Sequence, residues 1–172
     1  MAMQMKKSDV KVFTPLKDVH KIKVAVITAK WHEDITNNLK EGANSKLLEH
    51  GIFQENIVNI DVPGAFELPQ AAKMVLTHQN IHAIICLGCV IKGETHHDEF
   101  INHAVAQGLT HLSILSNKPV IFGVLTTLTY DQAVERSSGE KGNKGEECAV
   151  SAIHMLIVQQ NLTGHDQKIG FT

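Results

Sequence analysis

Short apolar runs alternate along this chain with longer stretches of helical spacing. Val24-Ala25-Val26-Ile27-Thr28 has the continuous apolar character of a strand buried on both faces. Over residues 32–50 the apolar positions shift to helical spacing, with Ile35, Leu39, Ala43 and Leu47 on one face and Gly51 placed to stop the helix. Residues 57–62 predict a second strand, broken by Pro63-Gly64, and residues 67–78 a second helix. Residues 83–91 form the third and most apolar strand, followed by a helix over 95–115. Residues 119–125 read as the fourth strand, with two further helices over 130–138 and 143–160. The chain is polar from Asn161 onward.

Strands alternating with helices predict right-handed βαβ units. The expected fold is α/β: a three-layer αβα sandwich, flavodoxin-like, around a four-stranded, mainly parallel sheet. In such sheets ligands bind beyond the carboxyl ends of the strands. That rule selects residues 29–32, 62–67, 89–97 and 126–130.

At 172 residues the chain suits one domain. Residues 1–20 are polar and aperiodic and read as an N-terminal arm that a neighbouring subunit orders. The α/β domain is placed over 21–162 and a polar tail over 163–172. With 16 basic and 18 acidic residues, net charge is -2 and the basic residues are scattered, which argues against nucleic acid. Lys6, Lys7 and Lys11 are followed by no apolar stretch of the kind a secretory signal needs, and no run is long enough to span a bilayer. The expectation is a cytoplasmic protein with no membrane contact.

Cys86-Leu87-Gly88-Cys89 spells C-x-x-C, but on a strand residues three apart face opposite sides. With Cys148 the count is three, which argues against a disulfide framework. Core cysteines are the favoured reading. The 11 histidines show no zinc-binding spacing, since His32-Glu33 does not extend to H-E-x-x-H. No metal site and no cofactor are expected.

The strongest candidate chemistry is the turn Gly93-Glu94-Thr95-His96-His97. Gly93 lets the backbone approach a ligand. Thr95 is expected to cap the helix, with Asp98 three residues on completing a capping box. A helix N-terminus of this kind attracts anions. His97 in its first turn can move protons near neutral pH, with Glu99 as a candidate to orient it. Taken alone, a capped helix with nothing bound is the competing reading.

Other segments add to the picture. Gly139-Glu140-Lys141-Gly142-Asn143-Lys144-Gly145 is glycine-rich but lacks P-loop spacing, and an interhelical loop is the alternative. Arg136 just before it has the planar fork that suits phosphate. Phe66 can stack on a flat ring and Glu67 can accept from hydroxyls. Trp31, the only tryptophan, follows the first strand and is a second stacking candidate. Ala149, Ala152, Ile153, Leu156 and Ile157 lie on one helix face, suited equally to subunit contact or to the core.

Over residues 21–162 the chain resembles the 6,7-dimethyl-8-ribityllumazine synthase family. The resemblance rests on Pro63-Gly64-Ala65-Phe66-Glu67-Leu68-Pro69, on Gly88 through His97, and on Glu135-Arg136 followed by Gly142-Asn143-Lys144-Gly145. It implies a transferase of riboflavin biosynthesis that condenses a ribitylaminouracil with a dihydroxybutanone phosphate, releasing phosphate and water. It implies His97 as the proton-transfer residue, Trp31 as the ring stacker, and Ala65, Phe66 and Glu67 at the ribityl chain. It further implies backbone at Cys89, Val90 and Ile91 on the uracil edge, Gly93, Glu94, Thr95 and Arg136 on the phosphate, and Lys144 beside them. Phe122 would come from the adjacent subunit of a homopentamer, itself able to form decamers or icosahedral 60-subunit shells. Trp31-His32 stands where the family commonly has Phe-Asn, and Glu140 where a lysine is frequent. A flavin-binding module or a shell-forming structural protein on the same fold are the alternatives. The flavin-binding module has no need of His97 and Arg136 around a free phosphate, and in a structural protein the assembly surfaces would matter and the site could decay.

Overall fold

Every residue of β1 (Val24–Ala29) is buried, as its unbroken apolar run predicts. A computed structural model describes residues 15–163; residues 1–14 of the expected arm and 164–172 of the expected tail lie outside the described residues. After β1 come α1 (Glu33–Glu49), β2 (Ile57–Val62), α2 (Leu68–His78) and β3 (Ala83–Ile91). Then follow α3 (His97–Ser116), β4 (Val120–Thr127), α4 (Tyr130–Ser137) and α5 (Lys144–Thr163). The sheet order is β2-β1-β3-β4, and every neighbouring pair is parallel. The chain leaves β1 toward β2 on one side, then crosses to β3 and β4 on the other. The crevice between the ends of β1 and β3 is therefore the topological switch point.

Alternation along β1 divides the core into two layers. Val24 and Val26 pack with Leu39, Ala43 and Leu47 of α1 and with Ala149, Ala152 and Ile153 of α5. Ala25 and Ile27 pack with Leu68 and Ala72 of α2 and with Val105 and Leu109 of α3. The apolar face of α5 is thus core, including Leu156 and Ile157. Truncating a fully buried Leu47 or Ile85 to alanine is expected to cost about 2–5 kcal/mol.

Cys86 and Cys89 belong to opposite layers, so the C-x-x-C spacing makes no pair. All three cysteines are free and buried. Burial pushes their thiols up, Cys89 to about 11 and Cys148 to about 12, which leaves them poor nucleophiles.

Some boundaries shift from the sequence expectation. β4 runs two residues further, through Thr127, because the Val90 and Ile91 end of β3 pairs with it. α5 continues through Thr163, so Asn161 and Leu162, read as the start of a polar tail, are helical. Val19–Lys21 is a single 3-10 turn, and Lys17 exchanges two backbone hydrogen bonds with the Gln160 amide at 3.0 and 2.9 Å. The described end of the arm is therefore pinned to α5 of the same chain.

The start of α5 is fixed on α1 by Asn143. Its Nδ2 donates to the Asn38 carbonyl at 2.8 Å, and its Oδ1 accepts from the Gly145 N–H at 2.8 Å. Gly145 permits this approach, since a Cβ there would collide with the Leu39 carbonyl.

Candidate active site

β3 outruns β1 at the switch point. The β1–β3 ladder ends at Thr28 against Leu87, whereas the β3–β4 ladder continues to Ile91 against Thr127. Backbone of Gly88–Ile91 on the β1 side therefore has no strand beside it. Cys89 is buried in the α1–α5 layer, while Val90 and Ile91 are half-buried. Along this strip the backbone, rather than the side chains, is presented to the crevice.

The segment after β2 closes over the same place. Pro63-Gly64 ends the strand and Ala65–Glu67 makes one 3-10 turn before α2. Ala65 is buried, its Cβ 3.5 Å from where a Cβ on Gly88 would sit, so the turn rests directly on β3. Phe66 is left 58% exposed. Glu67 Oε2 lies 3.1 Å and Trp31 Cδ1 3.2 Å from the position a Cβ on Gly64 would occupy. Trp31, 70% exposed, thus lies beside Gly64 with the Glu67 carboxylate next to it. A large aromatic left this open beside a carboxylate is a ready surface for a flat, hydroxylated ligand.

The turn after β3 differs from the capping expectation. α3 begins at His97, with His96 at the N-cap and no side-chain cap bond, so Thr95 lies outside the helix. Glu99 engages His96, Oε1 to Nδ1 at 3.2 Å, rather than orienting His97. Asp98 leaves one carboxylate oxygen buried without a hydrogen-bond partner among the described residues. Gly93, Glu94, Thr95 and His97 are exposed, and nothing lies within 4 Å of a Cβ placed on Gly93. Lys92 anchors the start of the turn through its N–H to the Thr127 carbonyl at 2.9 Å. The Glu99 and Phe100 N–H groups donate to the His96 carbonyl, while those of His97 and Asp98, ahead of the first intrahelical bond, lie at the positive end of the helix dipole.

A second group of expected residues sits elsewhere on the chain. Phe122 is on β4, the edge strand, and is 38% exposed. It pairs in register with Cys86, roughly 16 Å back along β3 from Ile91 at the usual rise per residue. Arg136, near the end of α4, donates to the Gln132 carbonyl at 2.8 Å and has Glu135 Oε2 at 3.9 Å. Lys144 Nζ reaches Glu147 Oε2 at 2.7 Å within α5. None of these polar contacts runs to the Gly93–His97 turn. The glycine-rich segment is an interhelical loop closed by Lys141 on Glu135 at 2.8 Å, with Gly142 at a positive φ of 88°.

The sequence reading missed one cluster at this edge. The Tyr130 hydroxyl donates to the Asp34 carboxylate, joining α4 to the first turn of α1. His32 lies against the same ring, centroids 6.4 Å apart and tilted by 60°. Its backbone is left-handed, with φ 58°. The only prior hint was a histidine and a tyrosine beyond two strand ends.

A polar cavity of about 160 Å³ opens between β1, β2 and the first turns of α1, lined by Thr28, Lys30, Glu33, Thr36, Asn37 and Asp61. It contains neither stacking ring and lies apart from the Gly93–His97 turn. Among the described residues no three His, Cys, Asp or Glu side chains are grouped to hold a metal ion. No described helix is long and apolar enough to cross a membrane.

The sequence model of the 6,7-dimethyl-8-ribityllumazine synthase family matches residues 21–160. The 6,7-dimethyl-8-ribityllumazine synthase of Cytophaga hutchinsonii is 50% identical over 131 residues, covering 76% of this chain and 82% of that protein. That of Parabacteroides distasonis is 42% identical over 144 residues, covering 84% and 90%. Its parallel flavodoxin-like fold, its strand-end layout and these likenesses agree: the chain belongs to the 6,7-dimethyl-8-ribityllumazine synthase family, transferases of riboflavin biosynthesis.

Proposed function

We propose that this protein condenses 5-amino-6-(D-ribitylamino)uracil with 3,4-dihydroxy-2-butanone 4-phosphate to 6,7-dimethyl-8-ribityllumazine, with the roles assigned as follows. The observation that carries the reading is the strip of β3 at Gly88–Ile91 that has no strand on its β1 side, with Ala65 of the turn that holds the Trp31–Gly64–Glu67 group resting on it at Gly88. A uracil edge needs alternating donors and acceptors in fixed register, and bare strand backbone supplies them. Trp31 stacks on the ring. Phe66 and Glu67 hold the ribityl chain, the carboxylate accepting from its hydroxyls.

The phosphate rests at Gly93, Glu94 and Thr95 against the start of α3. The amine of the uracil attacks the ketone, and loss of water gives an imine. Phosphate elimination and ring closure, with loss of a second water, complete the lumazine. Each step moves a proton near the phosphate, and His97 is the group placed to carry it. His97 delivers the proton that the leaving phosphate takes with it.

Arg136, Lys144 and Phe122 complete the site from a neighbouring copy. Their place on β4, α4 and α5, with no polar contact to the turn, supports a site shared between subunits. The assembly is a homopentamer, with decamer or 60-subunit shell as further states. The protein acts in the cytoplasm on small soluble substrates.

Complementation tests the shared site. His97→Ala and Arg136→Ala variants are each expected to make little lumazine. Co-assembled in equal amounts they should regain about a quarter of wild-type activity through mixed interfaces. No recovery in verified mixed oligomers would place both residues in one chain's site.

A further inference from the structure

The chain passes from β1 to α1 through three residues, and the last two, Trp31 and His32, make the turn. Before them, Lys30 is fixed by its N–H to the Val62 carbonyl at 2.9 Å. After them, the His32 carbonyl accepts from the Ile35 and Thr36 N–H groups, both at 2.9 Å. Between these anchors His32 adopts φ 58°, ψ 57°, a left-handed conformation that a residue with a Cβ adopts only when its surroundings enforce it. The consequence is the placement of Trp31, whose indole leaves the chain over Gly64 rather than toward the core.

What lies against His32 comes from α4, which packs on the same face of the sheet as α1. The Tyr130 ring is tilted against the imidazole at a separation typical of edge-to-face pairs. Its hydroxyl donates to Asp34, two residues beyond His32 in the first turn of α1. Tyr130 is itself rigidly mounted. The Thr129 hydroxyl accepts from the Gln132 N–H at 3.3 Å, the Gln132 side chain accepts from the Leu128 N–H at 3.0 Å, and Thr127 Oγ1 donates to the Thr129 carbonyl at 3.0 Å.

We propose that Tyr130 is a positioning residue: held on Asp34 and packed on His32, it fixes the left-handed turn that presents Trp31 to the ring of the substrate. The inference rests on the reading of Trp31 as ring stacker. Its structural half stands apart from catalysis. Tyr130 need not touch substrate, since it acts through the His32 backbone. Without the clasp, His32 relaxes toward ordinary backbone angles and the indole loses its place over Gly64.

The chain carries one tryptophan and one tyrosine, so fluorescence reads the two residues directly. Tyr130→Phe keeps the ring and loses the hydroxyl; Asp34→Ala removes the acceptor; Asp34→Asn keeps one. With tryptophan excited selectively, Tyr130→Phe and Asp34→Ala are expected to raise acrylamide quenching of Trp31 about twofold and to speed its anisotropy decay. Asp34→Asn should stay near wild type. Kinetically, KM for the ribitylaminouracil should rise about tenfold in Tyr130→Phe, while KM for the dihydroxybutanone phosphate stays within about twofold. Circular dichroism and thermal melts confirm that each variant is folded. Unchanged Trp31 quenching and anisotropy in folded Tyr130→Phe and Asp34→Ala would overturn the proposal, whatever the kinetics. Absent lumazine formation by the wild type would instead sink the functional reading and leave the fluorescence result to decide the clasp.

Discussion

Trp31 Cδ1 lies 3.2 Å from the point where a Cβ on Gly64 would sit, so a side chain there would press the indole aside by a few tenths of an ångström. Gly64 itself has extended backbone, φ -146°, which any residue adopts. Gly64→Ala therefore strains no dihedral angle. It should shift the exposed indole and Glu67, change stability by no more than about 0.5 kcal/mol, and raise KM for the ribitylaminouracil about tenfold. Chemical denaturation and steady-state kinetics with each substrate check this. An unchanged KM would remove Trp31 from the ring site.

His96 and His97 are neighbours with different surroundings. His96 is engaged with Glu99 at 3.2 Å, and His97 opens α3 at the turn. His97→Asn should lower kcat by about 100-fold or more with little change in either KM, the mark of lost proton transfer. His96→Asn should retain kcat within about threefold. Reversed effects would exchange the two assignments.

Tyr130 is the chain's only tyrosine, so its phenol titrates alone in the ultraviolet. The hydrogen bond to Asp34 raises its pKa above the ordinary value and holds the Asp34 carboxyl below its own. A raised folded-state pKa contributes stability that is complete below the unfolded phenol's pKa and lost as pH rises through the folded one. The Asp34 contribution is complete above the unfolded carboxyl's pKa and lost as pH falls through its depressed value. Alkaline spectrophotometric titration should show the phenol ionising late in wild type and at an ordinary pH in Asp34→Ala, which has no acceptor for it. Identical curves would mean that the bond does not persist in solution.

Asn143 gives the third motif of the family a structural role. It caps α5 and ties it to the Asn38 carbonyl. Asn143→Ala removes both contacts and should destabilise the protein by about 1–2 kcal/mol, read as a lowered melting temperature. A melting temperature equal to wild type would show that the cap contributes nothing.

Much of this molecule was legible in its sequence because two strong periodicities carry it. The unbroken runs at Val24–Ala29 and Ala83–Ile91 can be satisfied only by strands covered on both faces, and the fold follows from their alternation with helices. Trp31, Phe66 and Glu67 stand out in the sequence because they follow the ends of predicted strands. The helix start at His97 was not legible, since Thr95 satisfied the local capping rule but Glu99 reached His96 instead. Caps depend on a turn's path, which periodicity does not encode. The Tyr130–Asp34 bond joins residues 96 apart in sequence, and no local pattern announces such a pair. The roles proposed for Arg136, Lys144 and Phe122 lie between copies of the chain, where the periodicity of one chain says nothing.

The central claim is the reaction, and it has a direct measurement. Purified protein is mixed with the ribitylaminouracil and dihydroxybutanone phosphate while lumazine absorbance and free phosphate are followed together. The account predicts saturable lumazine formation far above the uncatalysed rate, with one phosphate released per lumazine, and its loss in His97→Asn. Lumazine no faster than the mixture without protein would contradict it.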